Sequence, residues 1–377
     1  MLLMLLYLQP AAGRLEIITD VMSSSDVTIV HSENIKVSSF QKPHLYDGCS
    51  WLDNSVWVSE CTSNDFFGNL MPIKPYIALV HNHYIDRAST HMDVPGTIFN
   101  EKHQFLPQEY TRETAGNTSN PLKHTKLASL LQAYPAKCGH FQHEILPKLV
   151  YMLEYIPVDV KFLMSVTDYT KKFVQLLNIS HRVVPWGKRF VYFAEDVYFS
   201  NVSPFIKSKD PHKGGKTFIF PYSHFVLLKK RLSLSTDRIE SGPIVVIKRG
   251  VGQPRSIIEA DQLNTELQAV FGSRIAIFNA SGTLESHIEL FNSASLIIGP
   301  HGAGFSNIIY CRERTPIVEI GYDSRTNGHT FDNMFEMLAV QTNLEYHLVR
   351  GNGTHFSPMT IDVPKVVSFV QNLLRTQ

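Results

Sequence analysis

Two short stretches concentrate side chains that do chemistry. The first is CGHFQHEILPKLVYMLEYIP, residues 138–157. His140 and Glu144 stand four apart, so on a helix they share one face. A His–Glu pair facing a cleft makes a general base with its orienting acid; the plainer alternative is a capping or hydrogen-bonded structural pair. His143 is a rival base. His140 and His143 read as H-x-x-H, which shows no third ligand and is not the H-E-x-x-H pattern, so no metal is expected. Pro147 predicts a break, because a proline inside a helix removes a donor and clashes with the preceding turn. The pair is therefore expected in a short turn. A longer helix should start at Pro147, where proline is tolerated, and pack through Leu149, Leu153 and Ile156.

The second stretch is GPHGAG, 299–304, which follows an apolar run and leads into a helix. In an open α/β sheet, ligands sit at the carboxyl ends of strands. The unpaired N–H groups of a helix start favour a phosphate there. Gly302, Ala303 and Gly304 would bring backbone amides close to it, and His301 could donate to a phosphate or a transferred group. Glu319, at the end of the next strand, is placed to accept from ribose hydroxyls, and Asn307 to support the turn or touch the donor. Arg249 ends the strand at 244–249, and Arg255 follows in the next loop; both could neutralise a pyrophosphate bidentately. The plain alternative is a tight turn with a structural histidine and two solvated arginines. The turn is neither a dinucleotide G-x-G-x-x-G nor a P-loop. HGAG also resembles the oxyanion-hole motif of some esterases, but the chain has no G-x-S-x-G nucleophile elbow.

These residues need strands to carry them. From 244 onward strand and helix signals alternate. Strands are predicted at 244–249, 274–278, 295–299, 316–320 and 345–349; helices at 257–271, 283–291, 305–311, 331–340 and 363–374. That alternation implies parallel βαβ units in a doubly wound, Rossmann-like domain. The first half is less regular. It suggests strands at 26–30, 76–81, 159–164 and 190–193, and helices at 124–134, 139–156 and 168–178. Residues 203–218 read as a loop or linker, and the boundary is placed near 225. The division is 1–20 as a degenerate signal or anchor remnant, 21–225 as an acceptor-side α/β domain, and 226–377 as a nucleotide-sugar domain.

The chain has 377 residues, 44% hydrophobic and 18% charged, with a formal charge of +1. It is globular, and no overall charge points to nucleic acid or an anionic membrane, so any anion site is local. The opening MLLMLLYL is apolar but short for a signal and lacks a basic flank. Asn-x-Ser/Thr sequons at Asn117, Asn178, Asn201, Asn279 and Asn352 lean towards a lumenal or extracellular life. Of the four cysteines, Cys49 and Cys61 share one loop-like stretch and are the expected disulfide; Cys138 and Cys311 are either paired or free.

Three segments resemble glycosyltransferase family 61. GHFQHEILPKL resembles its HWxxExLPKL segment, KRGVGQPRSIIEADQL its SRxxxxxRxIxNEDEL segment, and IIGPHGAGFSNIIYCRERTPIVEI its GxHGAGLTNxxF…VxEI segment. They occur in the family's order across 138–320, with Lys248 where the family has a serine. The resemblance implies an α/β, GT-B-like protein of two Rossmann-like domains facing a cleft. It implies an inverting transferase of the ER or Golgi lumen, soluble or type II anchored, with N-acetylglucosamine the first guess for the sugar and pentoses second. On that reading Gly302, Ala303, Gly304, Arg249 and Arg255 hold a UDP-sugar diphosphate, with His301 beside them, and Glu319 binds ribose. His140, oriented by Glu144, takes the proton of an acceptor hydroxyl on a glycan or glycoprotein. With no Asp-x-Asp triplet in the chain, no cofactor and no essential metal are expected. The competing reading is a lumenal carbohydrate- or nucleotide-binding protein that kept the fold and lost catalysis.

Overall fold

A computed structural model describes residues 16–18, 24–32, 75–86, 96–105, 118–132, 134–187, 189–201, 205–207, 216–218, 221–322 and 334–375. The apolar start, Cys49, Cys61 and Asn117 lie outside these residues. Among the described residues no helix is long and apolar enough to cross a membrane.

The first α/β unit is built on one mixed sheet. Its strands are β1 (Glu16–Ile18), β2 (Thr28–Ser32), β3 (Tyr76–Ile85), β4 (Ile98–Phe99), β5 (His103–Phe105), β6 (Leu122–Ser129), β7 (Lys161–Met164), β8 (Val183–Pro185) and β9 (Tyr192–Ser200). The order is β1-β5-β4-β3-β9-β6-β7-β8, with β2 also on β3. The helix expected at 124–134 is instead the strand β6. It lies parallel to β9 on one side and β7 on the other, and this pairing overrides the helical spacing of its leucines. The expected linker at 203–218 contains an antiparallel pair, β10 (Phe205–Lys207) with β11 (Lys216–Phe218).

Three helices accompany this sheet. The first, α1, runs from Cys138–His140 through a π turn at Phe141–Ile145 into Leu146–Tyr155. Pro147 therefore does not break it. Within the widened turn the Leu146 N–H reaches back to the Phe141 carbonyl, so the bonding ladder has already shifted where proline offers no N–H. Helix α2 is Asp168–Leu176, capped by Thr167. Helix α3 is Tyr222–Arg231; residue 225, where the sequence divides the chain, lies inside it, and Phe225 is buried in the core.

The second unit has a five-stranded, wholly parallel sheet: β12 (Ile244–Ile247), β13 (Ile275–Phe278), β14 (Leu296–Pro300), β15 (Pro316–Gly321) and β16 (Glu345–Arg350), in the order β13-β12-β14-β15-β16. Helices α4 (Ala260–Phe271), α5 (Leu284–Asn292), α6 (Met334–Gln341) and α7 (Val363–Arg375) alternate with the strands. Every residue of β12, β14 and β15 is buried, as a strand covered on both faces requires. Each fully buried isoleucine there contributes about 1.5–3 kcal/mol. Because the strands are parallel, the ends of β12 and β14 emerge at one edge. Those ends lead into Arg249 and into the glycine turn.

The two units share one apolar core. Phe141, Ile145 and Leu149 of α1 cluster with Val245, Ile297 and Phe305 of the second unit, all deeply buried. Cys138 is an exposed free thiol and Cys311 a buried one, so these two do not pair.

Candidate active site

The glycine turn docks onto α1, and close backbone approach makes that possible. A Cβ added at Gly139 would lie 3.2 Å from Ser306 Oγ and 3.5 Å from the Ala303 side chain. A larger residue there would crowd the Ser306 hydroxyl and the Ala303 side chain. Two hydrogen bonds pin the contact. His143 Nδ1 lies 3.0 Å from Ser306 Oγ, and Gln142 Nε2 donates to Asn307 Oδ1 at 2.7 Å. Tyr169 from α2 donates to Gln142 Oε1 at 2.6 Å and fixes that amide.

The expected pair is present. His140 Nδ1 is 2.5 Å from Glu144 Oε1. The carboxylate is fully enclosed, whereas the His140 side chain is 28% exposed. A carboxylate only accepts, so Nδ1 donates and Nε2 carries the lone pair. Burial opposes charge on Glu144, yet hydrogen bonds from His140 and His143 hold its carboxyl below the ordinary carboxylate range. Tyr134 stacks on the His140 ring, with centroids 4.9 Å apart. His143, the rival base, is buried, with Nε2 3.4 Å from Glu144 Oε1.

The ligand atoms of His140, His143 and Glu144 lie within 4.8 Å of one another. Glu144 thus supplies the third ligand that the H-x-x-H spacing did not show. All three side chains are nonetheless committed to hydrogen bonds: His140 to Glu144, His143 to Ser306, and Glu144 also to Gln132 Nε2 at 2.7 Å.

On the other side of the turn, Gly302 has φ 152° and ψ −176°, a conformation reserved for glycine. A Cβ there would sit 2.2 Å from Arg249 Nη1. The turn and the arginine are fitted to each other, and Arg249 Nη1 donates to the His301 carbonyl at 3.3 Å. The helix beginning at Ala303 is a 3-10 helix, Ala303–Tyr310, two residues earlier than the sequence suggests. Its first bond runs from Phe305 N–H to Gly302 O, so the Ala303 and Gly304 amides precede the ladder.

Arg249 and Arg255 form the most telling feature. The Nε of each is buried with no hydrogen-bond partner. Among the described residues no carboxylate forms an ion pair with either, and burial and then Arg255 lower the pKa of Arg249. Arg255 is held at φ 65° by its N–H bond to the Ser357 carbonyl at 2.6 Å. Two half-buried guanidinium groups with enclosed Nε atoms, which repel each other and pair with no carboxylate among the described residues, form a site suited to an anion. A recess beside them is lined by Lys248, Arg249, Asn264, Gly299 and Pro300.

Two expected donor contacts, Glu319 and His301, change role, whereas Asn307 takes the first of its two expected roles. Glu319 does not reach a ribose. It is fully buried in β15 beside Gly299 of β14, and its oxygens accept from His301 Nδ1 at 2.5 Å and Tyr346 OH at 2.6 Å. It positions His301, whose ring is itself buried between Tyr322 and Phe335. That enclosure leaves the His301 carbonyl, and not its ring, in contact with Arg249. Asn307 supports the turn, donating to the Gly304 carbonyl at 2.9 Å and accepting from Gln142, so both amide atoms are used.

Sequence reasoning missed Gln132, Gln142, Lys148, Ser306 and Glu336. Gln142, Lys148 and Ser306 lie inside the quoted segments, so their place was visible although their partners were not. Glu336 of α6 is buried facing Glu319, and burial followed by that neighbour raises its pKa to about 7. A raised acid is protonated in the fold where the unfolded chain has already lost its proton. Its burial therefore takes stability away as pH rises from its ordinary range through 7. Glu336→Gln should gain melting temperature over wild type from pH 5 to pH 8, towards about 3 kcal/mol at most. A difference that stays constant with pH would contradict this.

Residues 138–318 match the model of the family described as Glycosyltransferase 61. The match contains His140, Glu144, Arg249, Arg255 and the glycine turn. No curated protein sequence matches the chain. Among solved structures, the chain is similar to the iron-containing dodecameric glycosyltransferase TibC from enterotoxigenic E. coli H10407, at 13% identity over 63% of this chain and 69% of that one, TM-score 0.30. It is also similar to E. coli heptosyltransferase WaaC with ADP, at 11% identity over 66% of this chain and 97% of that one, TM-score 0.34.

Proposed function

Over residues 138–318 the chain belongs to the Glycosyltransferase 61 family and is a glycosyltransferase, and from that premise we propose an inverting, metal-independent enzyme that moves a sugar from a UDP-sugar to a hydroxyl of a glycan or glycoprotein. The observation that supports it is the pair of half-buried guanidinium groups of Arg249 and Arg255 beside the glycine turn, each with an enclosed Nε that has no hydrogen-bond partner and no carboxylate paired to it among the described residues. The diphosphate lies against them and the Ala303 and Gly304 amides. His140 Nε2 takes the proton of the acceptor hydroxyl. The acceptor oxygen bonds to the anomeric carbon as the bond from that carbon to the diphosphate oxygen breaks. The electron pair leaves with UDP, and the arginines and amides stabilise its growing charge in place of a metal ion. Single displacement from the opposite face inverts the anomeric centre. N-acetylglucosamine is the first sugar to try. Turnover with a panel of UDP-sugars, followed by NMR of the product's anomeric proton, tests the reading. Product with the donor's own anomeric configuration, or activity abolished by EDTA and restored by a divalent ion, would sink it.

We further propose residence in the secretory pathway. Asn178, Asn279 and Asn352 are exposed, whereas Asn201 is half-buried and accepts the Tyr76 N–H at 2.9 Å through its side chain. Protein secreted from a eukaryotic host should lose mass on deglycosylation at the first three sites. Three unmodified sites would argue against that location.

A further inference from the structure

The His140–Glu144 pair is only the outer part of a longer buried chain of hydrogen bonds. Glu144 Oε2 accepts from Gln132 Nε2 at 2.7 Å, and Gln132 Oε1 accepts from Lys148 Nζ at 2.6 Å. Lys148 is 1% exposed and Gln132 2% exposed. The polarity of the chain is fixed by chemistry. An ammonium only donates and a carboxylate only accepts, so the Gln132 amide has one orientation that satisfies both neighbours. Lys148 sits one helical turn beyond Glu144 on α1. A buried lysine is tolerated where an opposite charge answers it. The groups that face it are Glu144 on its own helix, Gln132 from the segment after β6, and His224 from α3, with His31 of β2 behind His224. Burial, followed by Lys148 and His31, drives the His224 pKa down to about 3, which keeps that ring neutral. Burial pulls the Lys148 pKa down to about 7 against the attraction of Glu144, its negative partner one amide away.

We propose that Lys148, acting through Gln132, is a positioning residue for catalysis: Lys148 and the amide between them anchor Glu144 Oε2, which turns the carboxylate so that Oε1 orients His140. The amide spacer matters. A direct Lys–Glu contact would compete for the carboxylate, whereas the spacer leaves Oε1 to the histidine. This inference rests on His140 being the base, as proposed above.

The test compares Lys148→Met, Gln132→Met and the double variant with wild type and His140→Ala. Each is measured for kcat, donor KM, UDP binding, melting temperature and the pH profile of kcat/KM. Either single variant should lose about 10–100-fold in kcat. Donor KM and UDP affinity should stay within about twofold of wild type. Without the cation the acid limb of the profile should move to higher pH by about one unit, because the His140–Glu144 pair then holds its proton more tightly. The double variant should lose no more than either single, since both cut one chain. It also replaces both polar partners with apolar groups, the change most easily borne by the fold if a single variant unfolds. Full activity with an unmoved pH profile in a folded variant would overturn the inference. So would a loss shared equally by kcat, UDP binding and melting temperature. If His140→Ala keeps wild-type turnover, the base assignment fails instead. If His140→Ala is inactive while the relay variants are normal, the relay alone fails.

Discussion

His140→Ala should reduce turnover by about 10²–10⁴-fold while leaving UDP binding close to wild type. The size follows from what the imidazole does. On the proposed mechanism it removes a proton from a hydroxyl whose own acidity is far too weak for attack at neutral pH. The side chain is reachable, at 28% exposure, and its Nδ1 is tied to an enclosed carboxylate, so Nε2 carries the lone pair. His143 cannot take over in place, because its ring is buried and bonded to Ser306. The variant should fold, since His140 lies at the edge of the shared core. Steady-state kinetics with the active UDP-sugar checks the rate, and calorimetry with UDP checks the binding. Turnover within a few-fold of wild type would remove His140 from the role.

The second large effect concerns the donor. Arg249→Ala should weaken UDP binding by roughly 10–100-fold, the worth of a charge-assisted hydrogen-bonded contact. Gly302→Ala should do much the same by a different route. Its new Cβ would fall 2.2 Å from Arg249 Nη1, and the flexible guanidinium would swing aside before the backbone moved. The φ of 152° adds strain of about 1–3 kcal/mol, so this variant should also melt lower, whereas Arg249→Ala should not. Relief of the repulsion between Arg249 and Arg255 should offset part of the lost contact in the unliganded protein. Calorimetric titration of UDP into each variant checks both expectations. Unchanged affinity in Arg249→Ala would detach the diphosphate from this edge of the sheet.

Much of this was legible in the residues themselves. The apolar runs at 244–247 and 296–300 are too uniformly hydrophobic for anything but doubly covered parallel strands, and they placed Arg249 and the glycine turn at one edge. The four-residue spacing of His140 and Glu144 survived the π turn between them. What failed to show was partnership at long range. Glu319 looks like an exposed acid at the end of a strand, but β15 runs on to Gly321 between β14 and β16. Gln132 follows a stretch whose leucines fit a helix, and only pairing with β9 and β7 makes that stretch a strand that delivers Gln132 to Glu144. Lys148 reads as an ordinary helix-surface lysine until α1 is packed on both sides.

We propose the edge formed by Arg249, Arg255 and the glycine turn as a metal-independent nucleotide-sugar site. Thermal melting of the wild-type protein with UDP, with and without EDTA, tests it most directly. At a hundredfold excess over Kd, UDP should stabilise the fold by about 2.7 kcal/mol, and EDTA should leave that gain unchanged. No stabilisation by UDP or any other nucleotide, or a gain that vanishes with EDTA, would contradict it.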